Sequence, residues 1–256
     1  MGACRGRTTA RWRKMVHDLS GEIKKFNGLD ELSASAAQDI AQLIERVVAS
    51  KGGFHLALSG GNTPRTLYHI LGTTYGISIP WKSVHIFFCD ERFVPHGDSL
   101  SNFRTVKEVL LDLISIPQQN IHPIPTHRLE MKTASQNYES ELRKFFTDGT
   151  DSFDLAIMGI GKEGHTASLF PGSPALDEKE KWVAGVEVDA VPPKRITLTY
   201  PILNRSAAIY YLVSGPDKTE VMEEIIKGTD DFHQYPVAGI HPKDGKLVWW
   251  VDSAVL

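Results

Sequence analysis

Cysteine is nearly missing from this chain. It has two, Cys4 and Cys89, far apart and in unrelated contexts. They make no CxxC pair and no disulfide framework, which points to a reducing compartment and an expected cytoplasmic location. Long apolar runs are missing too. None approaches the ~18 residues of a membrane span, so no membrane partner is expected. Nor is there a basic excess. Formal net charge is −3, and five positive charges (Arg5, Arg7, Arg11, Arg13, Lys14) lie in the first fourteen residues with no acid among them, leaving −8 on the remainder. An acidic body argues against general nucleic-acid binding, which needs a basic face. Any anionic ligand must be met by a local cluster.

Several catalytic signatures are also absent. No GxxxxGK[ST] loop occurs, so a nucleotide triphosphatase is not indicated. There is no GxSxG nucleophile elbow and no HExxH pair. His122 and His127 sit in the proline-punctuated stretch 121–129 without a partner motif, so no metal site is expected. Cys89, embedded in an apolar run, reads as core. Neither repeats, a low-complexity linker nor a composition break divides the chain.

What is present is a globular composition, 41% hydrophobic and 23% charged over 256 residues, enough for a sizeable core. Residues 1–14 read as a basic N-terminal extension: a disordered tail, an upstream start or a short transit-type segment ahead of one domain over 15–256. Position 6 is glycine, so Gly2 does not open a myristoylation signal.

Hydrophobic patterning predicts strands at Glu22–Phe26, Phe54–Leu58, Val84–Cys89, Phe153–Met158, Trp182–Val188, Arg195–Thr199, Ala207–Val213 and Leu247–Val251. Helical periods occupy 29–49, with Gly52-Gly53 as stop, then the segment opened by Thr63 as cap and Pro64 as first helical residue. Further helices are expected at about 102–114, 134–147 and 215–227. Strands alternating with helices imply an α/β fold with a parallel-dominated sheet and helices on both faces.

In such a sheet, ligands bind at the loops after the strand C-termini. Three loops qualify. Ser59-Gly60-Gly61-Asn62-Thr63-Pro64 suits an anion cradle, with close backbone approach and a helix start, or an ordinary capped turn. Asp90-Glu91-Arg92 offers a guanidinium fork for an anion, or a solvated, internally paired loop. After Met158 the chain gathers Gly159, Gly161, Gly164, Glu163, His165, Thr166 and Ser168 before Pro171-Gly172. Gly159–Gly164 is a literal GxGxxG, and Glu187 or Asp189 follows at about the dinucleotide-fingerprint spacing. Against that reading, Pro171 and Pro174 would cut the long helix it requires. The other reading takes His165 as a general base with Glu163 fixing its tautomer, or as a capping or surface histidine.

At this point the residues resemble a known family. GIGKEGHTASLFPGSP is similar to the signature of the 6-phosphogluconolactonases. LSGGNTPRTLY, CDERFVP followed by SN, RITLTYPILN and VSGPDK are similar to their other segments, in order, from about residue 22 to the C-terminus. The resemblance implies a three-layer α/β/α, Rossmann-like fold. It also implies hydrolysis of 6-phosphoglucono-δ-lactone to 6-phosphogluconate, in the oxidative pentose phosphate pathway. No cofactor and no metal are expected; the expected partner is the small phosphosugar lactone, on a monomer or weak dimer. Carried across, His165 is the catalytic base with Glu163 beside it. Ser59, Gly60, Gly61, Asn62, Thr63, Asp90 and Arg92 fall at ligand-binding segments, and Arg195 and Lys218 face the phosphate. One position departs: the family usually has Asp where this chain has Glu163. The alternatives are a glucosamine-6-phosphate deaminase, which shares the phosphate logic, or a non-catalytic sugar-phosphate or dinucleotide-binding module.

Overall fold

The structure is a computed structural model that describes residues 21–147 and 152–255; the N-terminal extension read over 1–14 lies outside them. In chain order the strands are β1 (Glu22–Phe26), β2 (Phe54–Leu58), β3 (Val84–Phe88), β4 (Asp90–Arg92), β5 (Ile121–His122), β6 (Leu155–Gly159), β7 (Val183–Glu187), β8 (Lys194–Leu198), β9 (Ala208–Val213) and β10 (Lys246–Asp252). The helices are α1 (Leu29–Lys51), α2 (Thr63–Thr73), α3 (Asn102–Val109), α4 (Met131–Phe145), α5 (Tyr200–Leu203) and α6 (Thr219–Ile226).

Seven strands form one parallel sheet in the order β1-β10-β9-β6-β2-β3-β5. Its central members are apolar almost throughout: Leu155–Met158 and all six residues of β9 are buried. A parallel strand covered on both faces needs this continuous pattern rather than alternation. α1 buries Leu32, Ala36, Ile40 and Ile44 along one stripe. Asp30 and Glu31 in its first turn and Lys51 in its last complement the helix dipole, and Gly52 closes it at φ 82°. α1 and α2 pack on one face. α4 covers the other, and its Tyr138 hydroxyl donates to Phe88 O at 3.1 Å and accepts from Phe88 N at 2.9 Å.

The chain order places the switch point of the sheet between β2 and β6. From β2 the chain moves outward to β3 and β5; from β6 it moves the other way, to β9 and β10. Connections leaving in opposite directions open a crevice at the strand C-termini.

Four local expectations are corrected. Asp90-Glu91-Arg92 is not a loop but a strand, and with β8 and β7 it makes a separate antiparallel sheet, order β4-β8-β7. A charged triplet can be buried there because Glu91, 1% exposed, accepts from the backbone N–H of Arg92, Asn102 and Phe103 and from Ser101 Oγ. Thr63 does not cap α2: it is already helical, and Asn62 at the cap position makes no side-chain cap bond. The helix expected to Ile114 stops at Val109, where Leu110 leaves helical geometry, and a short 3₁₀ turn, Leu111–Leu113, follows. The helix expected from Gly215 begins as the 3₁₀ turn Pro216–Lys218.

At the opposite end of the sheet, three histidines pack on one face. His55 of β2 faces His85 of β3 in register, and Phe87 faces His122 of β5. His85 Nδ1 lies 3.0 Å from His122 Nε2, and His122 Nδ1 lies 3.2 Å from Glu141 Oε1. So His122, which has no partner in sequence, has two in space. Burial against Phe145 and Phe146 lowers all three imidazoles, with Asp154 opposing at His55 and Glu141 at His122. Folding thus disfavours their charged forms, and the unfolded chain takes up protons more readily as pH falls through the ordinary imidazole value of about 6.5. Stability should be fully present above that value and decline as pH drops through it. Urea midpoints at pH 7.5 and 5.5 check this, and His122→Phe should reduce the difference between them.

Candidate active site

A cleft of about 400 Å³ opens at the switch point. The loop after β2 supplies Ser59, Gly60, Gly61, Asn62 and Thr63; the second sheet supplies Asp90, Arg92 and Arg195; the loop after β6 supplies Ile160, Gly161, His165 and Ala167. The segment after β9 adds Ser214, Asp217 and Lys218. The structure therefore brings ten of the eleven sequence-expected residues to one cavity. The eleventh, Glu163, stands behind His165 rather than on the wall.

Gly60 is required by close approach. A Cβ there would lie 1.8 Å from Asn102 Oδ1, so the cradle presses on the start of α3. Gly61 has φ 101°, open to glycine at no steric cost. Asn102 is 1% exposed and donates through Nδ2 to Asp90 O at 2.9 Å and to Asp90 Oδ1 at 3.2 Å. The other Asp90 oxygen accepts from Ser168 Oγ at 2.6 Å. Asp90 is thus the hub that ties the start of α3, the second sheet and the β6 loop together. Burial pushes the neighbouring Glu91 carboxyl up to about 7, even though four donors favour its charged form.

Arg92 and Arg195 stand opposite each other in the β4–β8 register. Arg195 is 7% exposed, and its Nε donates to Pro192 O at 3.2 Å; Arg92 Nη1 donates to Leu100 O at 2.8 Å. Burial first, and Arg92 after it, pull the Arg195 guanidinium below its usual value, with Asp90 opposing. Two like charges side by side, with Arg92 Nε buried and unpartnered, make a site that an anion would relieve. Lys218 Nζ faces the same cleft, paired with Asp217 at 2.8 Å.

His165 is delivered by a folded-back loop. Gly161 N donates to His165 O at 2.8 Å, and Gly164 N to Gly161 O at 3.0 Å. Thr166 and Leu169 then close a tight turn with Ala167 at φ 49°, a conformation unusual for a side-chain-bearing residue. This turn, followed by the 3₁₀ turn Pro174–Asp177, replaces the long helix that a dinucleotide fingerprint needs. Glu163 Oε1 lies 3.1 Å from His165 Nδ1, yet Nδ1 has no partner in hydrogen-bond alignment, so the contact is close but off-line. The contact with His165 holds the Glu163 carboxyl down at about 2. An anion beside Nδ1 favours the tautomer with its proton there and leaves Nε2 the lone pair of a base.

Sequence reasoning missed Asn102, Ser214 and Asp217 as cleft residues. Asn102 lay inside a quoted motif, but only the Gly60 approach shows its place. Among the described residues, no group of three or more His, Cys, Asp or Glu side chains could hold a metal ion, and no helix is long and apolar enough to cross a membrane.

A parallel sheet with a switch-point cleft, an anion-seeking rim and a supported imidazole defines a Rossmann-like three-layer α/β enzyme. The chain belongs to the glucosamine-6-phosphate isomerases/6-phosphogluconolactonase family, whose model matches residues 27–249. It is 39% identical to a 6-phosphogluconolactonase of Synechocystis over 82% of this chain and 86% of that one. It is 37% identical to the human GDH/6PGL endoplasmic bifunctional protein over 87% of this chain, which spans only 28% of that longer protein. The crystal structure of a 6-phosphogluconolactonase from Thermotoga maritima superposes with a TM-score of 0.78 at 32% identity, covering 91% of this chain and 99% of that one.

The anion-seeking rim predicts that inorganic phosphate raises the melting temperature of the native chain, since a ligand of the folded state stabilises it. Gly60→Ala, which collides with Asn102, should lose that response. Gly97→Ala, with open space around its Cβ, should keep it. A thermal shift titration reads both.

Proposed function

We propose that this chain hydrolyses 6-phosphoglucono-δ-lactone to 6-phosphogluconate, the lactonase step of the oxidative pentose phosphate pathway, with His165 as general base. The observation that carries the reading is a single cleft that pairs an imidazole, backed by Glu163 at 3.1 Å, with the adjacent guanidinium groups of Arg92 and Arg195. The names of the relatives support it, and the family description names both this activity and the isomerase, so the choice between them is part of the proposal.

The phosphate end of the substrate is held by Arg92, Arg195, Lys218 and the N–H groups of Gly60–Thr63, which orients the lactone carbonyl toward His165. His165 Nε2 takes a proton from water as the water oxygen attacks C1. The carbonyl electron pair moves to oxygen, giving a tetrahedral oxyanion. As the carbonyl re-forms, the bond from C1 to the ring oxygen breaks, and imidazolium returns the proton to that oxygen. Glu163 stabilises the imidazolium, its longer side chain reaching Nδ1 at an angle. The reading carries no cofactor, a single domain over 15–256, a cytoplasmic location, and a monomer or weak dimer.

His165→Ala should cut kcat by about a hundredfold or more with freshly prepared lactone, measured above spontaneous hydrolysis. Arg195→Ala should act mainly on KM, because it removes binding to a part of the substrate that does not react. Glu163, held at about 2, stays ionised through the whole working range. Any acid limb in the rate profile between pH 5 and pH 8 therefore belongs to another group, and it should persist in Glu163→Gln with kcat lowered. Loss of the limb in that variant would contradict the assignment. Ammonia released from glucosamine 6-phosphate, without lactone turnover, would replace this reading by the deaminase.

A further inference from the structure

Glu163 approaches Nδ1 off the line of the ring N–H. A single off-line contact cannot fix the plane of an imidazole, whose outer torsion is broad and roughly two-fold. Something else must. The Nδ1–Cε1 edge of His165 lies over Gly161, where a Cβ would come within 2.1 Å and 2.3 Å of those atoms. One flat face lies on Phe170, ring centroids 4.1 Å apart and planes 13° from parallel. The same phenyl ring lies 5.6 Å from the guanidinium carbon of Arg195.

Resting on the reading of His165 as general base, we propose that Phe170 is a positioning residue for it. Its ring sets the plane of the imidazole and ties that plane to the arginine that meets the anionic end of the substrate. Phe170 is only half-buried, so it is not committed to the core, and it meets the imidazole face to face rather than edge-on. The contact also changes during the reaction. A neutral imidazole stacks on a phenyl ring by dispersion; the imidazolium formed on proton uptake is drawn to the negative π-face as well. An interaction stronger in the reacting state than in the resting one speeds turnover without tightening substrate binding. A merely structural phenylalanine would have no such signature.

The test compares native protein with Phe170→Leu, which keeps apolar bulk without a ring, and Phe170→Tyr, which keeps the ring. Three readings are taken: kcat and KM for the lactone, melting temperature, and the proton NMR shifts of the His165 ring, assigned by their loss in His165→Ala. Phe170→Leu should lose roughly tenfold in kcat, as misorientation of a catalytic group does, with KM within about twofold and the melting temperature near native. Its His165 ring protons should lose the upfield shift that a stacked phenyl imposes. Phe170→Tyr should restore both. Native kcat in Phe170→Leu, an unchanged ring shift, or a kcat loss that follows the melting temperature and is not rescued by Phe170→Tyr would overturn the proposal. A native chain with no lactone turnover would overturn the lactonase reading instead, and the ring shift would still report whether Phe170 orients the imidazole.

Discussion

The parallel pairing of β2 with β6 is the constraint on which the site depends. Leu56, Ala57 and Leu58 lie against Leu155, Ala156 and Ile157, and Ser59 N donates to Ile157 O at 3.1 Å just beyond the last paired residue. From that point the two chains part toward opposite edges of the sheet. The crevice is therefore a consequence of connectivity, and whatever side chains the two departing loops carry must face each other across it. Here one loop carries backbone N–H groups and the other carries an imidazole.

A second sheet completes what the main sheet begins. β4 and β8 put Arg92 and Arg195 side by side at the rim, where Asp90 offsets the Arg195 charge only through space and not as a direct ion pair. The Asp90 oxygens are taken up by Ser168 and Asn102, so it organises the site while leaving the guanidinium donors to other partners. An acidic chain thus keeps a local positive cleft, and the polar groups around it are pre-arranged rather than assembled on binding. His165 sits within the same frame, between Gly161, Glu163 and Phe170.

Much of this was legible in the residues. Phe54–Leu58 is a strand at the predicted boundaries because an apolar run of that length, bounded by glycine or polar turns, has few other options, and Glu22–Phe26, largely charged, holds its predicted boundaries as the edge strand paired with β10. The alternation of strands and helices implied the parallel sheet, and the glycine-spaced segments after β2 and β6 implied the cleft. The charged triplet Asp90-Glu91-Arg92 reads as a loop in sequence, since three adjacent charges rarely enter a strand. What reverses that expectation is three donors converging on Glu91 from residues ten to twelve positions away, together with Arg92 N, which no local pattern reveals. The second sheet was hidden for the same reason: β7 and β8 have ordinary strand patterns, and only the burial of β4 beside β8 withdraws them from the main sheet. Asn102 and Phe170 carry no signature of their own, since their roles exist only as contacts.

The central claim is that one cleft joins an anion clamp to a general base. The measurement that tests it most directly is the ratio of kcat/KM for 6-phosphoglucono-δ-lactone over unphosphorylated glucono-δ-lactone, in the native chain and in Arg195→Ala. The account predicts a large preference for the phosphorylated lactone that falls by at least tenfold in the variant, as expected when a charged contact of about 1.5–3 kcal/mol is lost. An equal ratio in the two proteins would mean that Arg195 does not meet the phosphate, and the account of the cleft would fail.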